Sequence, residues 1–426
     1  MERKDDGPSF TRDLALATWG LFVGLAFLLL AAGLFGTLLG VRSELIKLPT
    51  VVSSLISASY YGGFLVGSRV ALSALGRVGH IRVFAALASL LSAAMLTVGL
   101  TESAPAWVWL RFVTGLCLAG QYVVAESWLN NLATNENRGR LLAIYAVVTS
   151  GAFGIGQVLL FAIDARVITG FAIASIVTSL AVAPVALSED AVAPSVVKRE
   201  HISLHDLARL VPTGVFSCLI VGMAHGALTG MAAIYATRVG LSTGRIGLFV
   251  AAPNIGGMLL HWPVSAASDD IDRRVVGLAA CLGAIGAGVL LLLGPSSSPM
   301  ALLLFGTLGA FSYPLYSIAG AYTNDWIDPG HVNAAASQLV TLYGLGAMVG
   351  PFAAAGMMIV AGPKGFFWAA IILHGFLAAF FVYRIRAWRA PLKKRPWGEV
   401  SLPARAFFVP ATVVAMGRRY RKKLGR

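Results

Sequence analysis

The chain has 426 residues, of which 57% are hydrophobic and 12% charged, and its mean hydropathy is +0.78. A soluble domain carries about twice that share of charge, so this balance argues against a soluble enzyme and excludes a disordered chain. The formal net charge of +14 does not point to nucleic acid: residues 384–426 hold 13 basic residues and one acid, Glu399, and the rest of the chain is nearly neutral.

A membrane-spanning helix needs about 20 predominantly apolar residues. Twelve such runs follow one another, at roughly 14–39, 51–72, 83–100, 106–129, 141–163, 166–187, 211–235, 246–266, 275–294, 299–323, 334–360 and 366–386. Helices are expected throughout, because an open strand edge leaves backbone groups unsatisfied in lipid. The first run is too long for a signal peptide and lacks a small-residue cleavage site. It also carries no carboxylate, which excludes proton coupling through an acid there. The segments that fall inside when the N-terminus is inside hold 26 Lys and Arg, against 6 in the outer loops, and 13 against 6 without the tail. The positive-inside rule then places both termini in the cytoplasm. Glu44 and Asp164, near outer ends, read as loop anchors.

The loop after the second run contains Arg77, Gly79 and Arg82. In the fourth run, Arg111, Gly115, Leu118, Tyr122 and Glu126 share one stripe at 100° per residue. An arginine at mid-membrane costs roughly 2.5–3.5 kcal/mol on insertion scales, so it persists where it has a use. Arg111 and Glu126 are about 22 Å apart along the axis and cannot pair. The stripe suits a pathway wall; alternatively Arg111 caps a neighbouring helix and Glu126 pairs with a loop base. The fifth run holds Gly151, Gly154, Gly156 and Gln157 without a proline. Residues 188–210 form the longest polar stretch between runs and split them six and six, with Ser203 as N-cap of a short amphipathic piece.

The seventh run places Cys218, His225 and Thr229 on one side, beside a stripe of Gly222, Gly226 and Gly230 that admits another backbone. His225 either binds substrate or a proton, or sits as a satisfied interhelical hydrogen bond. The loop after the eighth run holds Asp269, Asp272, Arg273 and Arg274. In the tenth, Tyr313, Ser317, Gly320 and Asn324 share a stripe with Tyr316 beside it, and Pro314 permits a kink. Tyr60, Tyr61, Gln157, Asn254, Gln338 and Tyr343 are further polar groups at mid-depth, read first as packing. Cys117, Cys218 and Cys281 have no metal-ligand spacing, and no cofactor or metal is expected. The tail from 391 alternates basic clusters with short apolar pieces, and either lies on an anionic inner leaflet or is solvated.

The loop at Gly76 and the loop at Asp269 are 193 residues apart, and the same shift carries the first run onto the seventh. Two six-helix halves in parallel orientation suit a transporter with its site at their interface. The expected organisation is an N-terminal segment 1–13, halves at 14–187 and 211–386, a central loop 188–210 and a basic tail 387–426.

On these residues the chain resembles the major facilitator superfamily. The second loop copy is similar to that family's acidic and basic loop signature; the first has Gly76 where the family usually has Asp. Arg111 through Gly115 is similar to its R-x-x-x-G signature in the fourth helix, whereas the fifth run lacks the Gly-Pro pair of the antiporter pattern. Gly79–Ala85 and Ala125–Asn130 resemble a bacterial branch whose substrates are mostly unassigned. The resemblance implies an all-helical membrane protein of twelve spans that alternates access by rocking its halves. Helices 1, 4, 7 and 10 would line its cavity, bringing Arg111, Tyr122, His225, Tyr313 and Tyr316 together. Glu126 and His225 become the proton-coupling candidates, and Arg77, Gly79, Arg82, Asp269, Asp272, Arg273 and Arg274 the gating loops.

One arginine among tyrosines suits a planar or anionic amphipathic metabolite, with riboflavin-like vitamins one candidate class. The expected function is therefore a monomeric secondary or facilitative carrier in the cell inner membrane, not an enzyme and not a nucleic-acid binder. A drug or metabolite efflux antiporter and a non-transporting membrane sensor or scaffold are the alternatives.

Overall fold

The computed structural model describes residues 12–133, 138–188, 202–328 and 331–387. The basic tail and its expected contact with the inner leaflet lie outside the described residues, as does the N-terminal segment before Arg12. The described residues are helical, with no strand among them.

In chain order the first half contains α1 (Arg12–Leu45), α2 (Thr50–Val78), α3 (His80–Leu100), α4 (Ala104–Leu132) and α5 (Arg138–Val158), which runs into a 3₁₀ turn at Leu159–Ala162. The pair α6 (Thr169–Leu180) and α7 (Val182–Ala186) completes it. A short α8 (Leu204–Leu210) precedes α9 (Pro212–Arg238), α10 (Thr243–Asp270), α11 (Arg273–Leu293), α12 (Pro299–Ser312), α13 (Pro314–Trp326), α14 (Val332–Ala361) and α15 (Gly365–Ala387). The side chain of Ser203 caps α8 as expected, accepting the Asp206 N–H. Pro314 separates α12 from α13, as its missing N–H requires.

Eleven helical stretches among the described residues are long and apolar enough to cross a bilayer. Outside that set, α10 has the length to span at 28 residues, but its interior carries Asn254, His261 and two prolines, Pro253 and Pro263.

The internal repeat is visible in the helix ends. Leu45 and Arg238 close α1 and α9, Thr50 and Thr243 open α2 and α10, and His80 and Arg273 open α3 and α11; each pair is 193 residues apart. The closest helix crossings repeat as well. A Cβ on Gly63 would overlap the Phe112 carbonyl where α2 meets α4, and one on Gly256 would overlap the Gly306 carbonyl where α10 meets α12. Gly33 meets the Phe153 carbonyl between α1 and α5, and Gly226 meets the Ala347 carbonyl between α9 and α14. Without a hydrophobic driving force between helices in lipid, such backbone approach supplies much of the packing.

These crossings give a direct test. Gly115→Ala places a methyl group on the Tyr60 carbonyl, and overpacking of this kind costs about 1–3 kcal/mol. The unfolding midpoint of the detergent-solubilised protein falls accordingly. Gly151→Ala, whose added Cβ meets open space, leaves the midpoint unchanged.

Two ends of the bundle can be told apart. One carries the turns at Gly79 and Ile271, where α2 passes to α3 and α10 to α11. Gly79 sits there at φ +84°, a left-handed conformation that favours glycine. The other carries the C-termini of α1 and α9, and at that end the halves are bonded together.

Candidate functional site

A cavity of about 80 Å³ lies where α1, α2, α4 and α5 face α9 and α10. Its wall holds Arg111, Tyr60, Thr37, Ser57, Gln157 and Thr229 among its polar groups. Of the stripe read on α4, Arg111 and Leu118 line it, whereas Gly115, Tyr122 and Glu126 do not. The guanidinium lies over two ring faces, with Cζ 4.4 Å from the Tyr60 centroid and 5.5 Å from that of Phe35. Gly36 leaves the space beside it, since a Cβ there would stand 3.7 Å from Nη2. Ring faces stabilise a cation but do not neutralise it, and no carboxylate pairs with Arg111 among the described residues.

Above the cavity the halves are joined by a clamp. Glu44, at the end of α1, takes Arg238 of α9 on both oxygens, at 3.0 and 2.8 Å, and Arg238 also donates to Thr50 Oγ1 at 3.2 Å. Deeper in, Ser57 Oγ donates to the Gly230 carbonyl at 2.9 Å. Tyr61 and Thr229 share a hydroxyl bond of 2.6 Å. Asn254 Nδ2 donates to Gln157 Oε1 at 2.9 Å. Glu44 is thus more than a loop anchor: it bridges the two halves. Asp164 does anchor its loop, accepting the Arg166 N–H.

His225 sits inside the C-terminal half, 2% exposed, with both ring nitrogens engaged. Its Nε2 lies 3.2 Å from the Ser312 carbonyl, which only accepts, so Nε2 carries the hydrogen and Nδ1 accepts from Tyr343 Oη at 3.0 Å. Ser312 is the last residue of α12, with Tyr313 between it and Pro314, and His225 supplies a donor to its carbonyl. Such repair of an interrupted ladder is what permits proline in membrane helices. Tyr313 packs edge-on against His225 at 4.6 Å, and Tyr316 packs edge-on against Tyr343 at 5.0 Å. Tyr122 lies near Phe64, with ring centroids 6.2 Å apart, and Glu126 follows one turn on in α4. Of the five residues expected to meet in one cavity, Arg111 lines this one; Tyr122, His225, Tyr313 and Tyr316 stand outside its wall. His225 connects to it indirectly, because cavity-lining Thr229 donates to the His225 carbonyl.

At the opposite end the two loop copies differ. Arg273, 2% exposed, bonds Asp325 at 2.7 Å and Asp269 at 3.3 Å, and Arg274 bonds Asp272 at 2.7 Å and the Arg384 carbonyl at 2.9 Å. In the first copy Arg77 and Arg82 are exposed, and no ion pair holds them among the described residues. Gly76 provides no acid there.

The sequence profile of the Major Facilitator Superfamily matches residues 14–311 and 214–418. The chain belongs to the Major Facilitator Superfamily. Among curated relatives it is 30% identical over 353 residues to a protein of Salmonella arizonae named as the uncharacterized MFS-type transporter YcaD, covering 80% of this chain and 88% of that one. The Salmonella typhimurium protein of the same name is 30% identical over 360 residues, covering 82% and 90%. Among solved structures, the nucleoside transporter NupG superposes with a TM-score of 0.67 at 12% identity, covering 88% of this chain and 100% of that one. A bacterial homologue of the human lysosomal transporter Spinster, inward-facing and occupied, gives 0.68 at 17%, covering 90% and 98%. A human organic anion transporter gives 0.56 at 15%, covering 87% and 100%.

For this Major Facilitator Superfamily transporter, the second-copy loop also reveals a residue that the sequence reading passed over. Asp325 lies just beyond the tenth apolar run, and its side chain is fully buried beside Arg273. Its signal was an acid at a helix end with no basic residue next to it in sequence. Asp325→Asn leaves a buried guanidinium short of its main partner, which costs about 3–5 kcal/mol. The variant accumulates poorly in membranes, and Arg273→Met combined with Asp325→Leu restores the level, measured by fluorescence-detected size exclusion.

Proposed function

We propose that this transporter carries a small amphipathic organic anion by alternating access, with Arg111 binding the anionic group. The observation that carries the reading is an arginine that has no carboxylate partner among the described residues and lines a cavity of mixed polar and apolar wall between the halves. A desolvated guanidinium binds carboxylate or phosphate by paired donors. It has little reason to select a neutral planar molecule, so the anionic class is favoured over the riboflavin-like one. Twelve spans, with α10 as the eighth and α12 with α13 as the tenth, and cytoplasmic termini give the topology. On that topology the Glu44–Arg238 clamp lies at the outer face, and the halves are closed there. The protein then sits in the inner membrane facing inward, in the segments expected from sequence, and works as a monomer.

Uptake into proteoliposomes tests this. The panel pairs aromatic and aliphatic acids with their neutral amides and includes riboflavin, with and without an inward proton gradient. Saturable uptake of an acid, with its amide excluded, is the expected result; equal uptake of both members of a pair contradicts the reading. Of the two proton-coupling candidates, His225 is committed at both nitrogens, which leaves Glu126. Where flux follows the gradient, Glu126→Gln removes that dependence and keeps exchange at zero gradient.

A further inference from the structure

Arg111 needs a counter-charge, and the acids at its end of the bundle are spoken for. Glu44 is held through both oxygens by Arg238, Glu102 is paired with Arg42 at 2.6 Å, and Asp164 lies in the loop after α5, accepts the Arg166 backbone N–H and does not line the cavity. Glu126 is some 22 Å along α4. The cavity wall beside the guanidinium mixes hydroxyl and amide groups with apolar side chains. Also in its wall, Ser53 is 2% exposed, and its Oγ is buried without a hydrogen-bond partner among the described residues. A buried donor or acceptor left in that state is strongly unfavourable unless water or a ligand meets it. The volume of about 80 Å³ is several times what one water needs, yet far below the 300–1,000 Å³ typical of pockets for drug-sized ligands. An amphipathic metabolite exceeds this volume, whereas a small ion with a few waters does not.

We propose that a monovalent anion no larger than a small carboxylate occupies this cavity beside Arg111 when no substrate is bound. Chloride and formate represent the two sources of that chemistry. The anion neutralises the guanidinium while the halves are clamped, and a substrate that uses Arg111 must displace it. The inference rests on the cavity and its charge balance, not on the identity of the carried molecule.

The experiment uses the full-length protein purified in detergent, at fixed pH and ionic strength, with gluconate as the bulky reference anion. Replacing gluconate by chloride or formate raises the unfolding midpoint saturably, by about 2 °C or more. A rise with either ion supports the proposal and names the source. Arg111→Gln abolishes the rise, and Arg209→Gln, on the exposed face of α8, keeps it. No rise with either ion, or an equal rise in Arg111→Gln, overturns the proposal. Should Arg111→Gln not fold, crystals of the wild-type protein grown in bromide decide: an anomalous peak beside the guanidinium supports the site, and an empty cavity overturns it. If the uptake panel fails to find an organic anion while the chloride shift remains, the reading of the substrate falls and this site stands.

Discussion

Replacing Arg111 by alanine abolishes transport and leaves the amount of folded protein in the membrane close to the wild-type level. The two halves of that expectation have separate grounds. Arg111 forms no ion pair that fixes one helix to another among the described residues; it rests on the Tyr60 and Phe35 rings and faces a cavity. Removing it therefore breaks no buried pair within the protein. For a bound anion, however, losing the charged partner costs about 2–5 kcal/mol, or roughly 30- to 4,000-fold in transport at low substrate. Arg111→Lys rescues only in part, because a point charge replaces a planar fork. Tyr60→Leu removes one ring face, worth about 0.5–2 kcal/mol, and its effect is correspondingly smaller. Radiolabelled uptake normalised to membrane level measures all three. Normal transport by Arg111→Ala would take the α4 stripe out of the pathway, and failure to accumulate would make Arg111 structural.

Glu44→Gln shifts the carrier toward a form open at the clamp end. The pair with Arg238 is bidentate and charge-assisted, but its side chains keep 21% and 23% of their exposure. Screening reduces its worth to about 1–2 kcal/mol, a five- to thirtyfold change in the ratio of open to closed forms. A cysteine at Ser53, buried beneath the clamp, reports this through its labelling by a membrane-impermeant maleimide. The native cysteines Cys117, Cys218 and Cys281 are buried and add little background. Labelling of Ser53→Cys rises by that factor in the Glu44→Gln background. It returns to baseline when the charges are exchanged, as Glu44→Arg with Arg238→Glu. An unchanged labelling rate would show that the bond does not hold the halves.

The helices and their repeat were legible because lipid imposes a simple rule: long apolar runs form helices, and small residues mark where backbones meet. The Gly222 and Gly226 stripe, read as a close-approach face, does receive the backbone of α14 at Tyr343 and Ala347. Pro314 likewise breaks its helix where expected. Arg111 stood out because a charge inside an apolar run is costly. The rest of the site depended on pairings between distant segments. Glu44 and Arg238 are 194 residues apart, and each alone resembles a loop residue at a helix end. Tyr60 was read as packing, yet its ring lies beneath the guanidinium; Phe35 carried no polar signal at all. His225 misleads in the opposite sense, since its mid-helix position suggests ligand binding while one of its ring nitrogens serves the Ser312 carbonyl at the break and the other is held by Tyr343. Helical periodicity gives the face of a residue, not the partner that the fold brings to it.

The central claim is that an organic anion crosses through the Arg111 cavity. It is tested most directly by uptake of one acid and its neutral amide into proteoliposomes holding either the wild-type protein or Arg111→Gln. Wild type transports the acid in strong preference to the amide, and Arg111→Gln loses that preference by losing the acid. A preference for the acid that survives in Arg111→Gln, or equal transport of acid and amide by the wild type, contradicts the account.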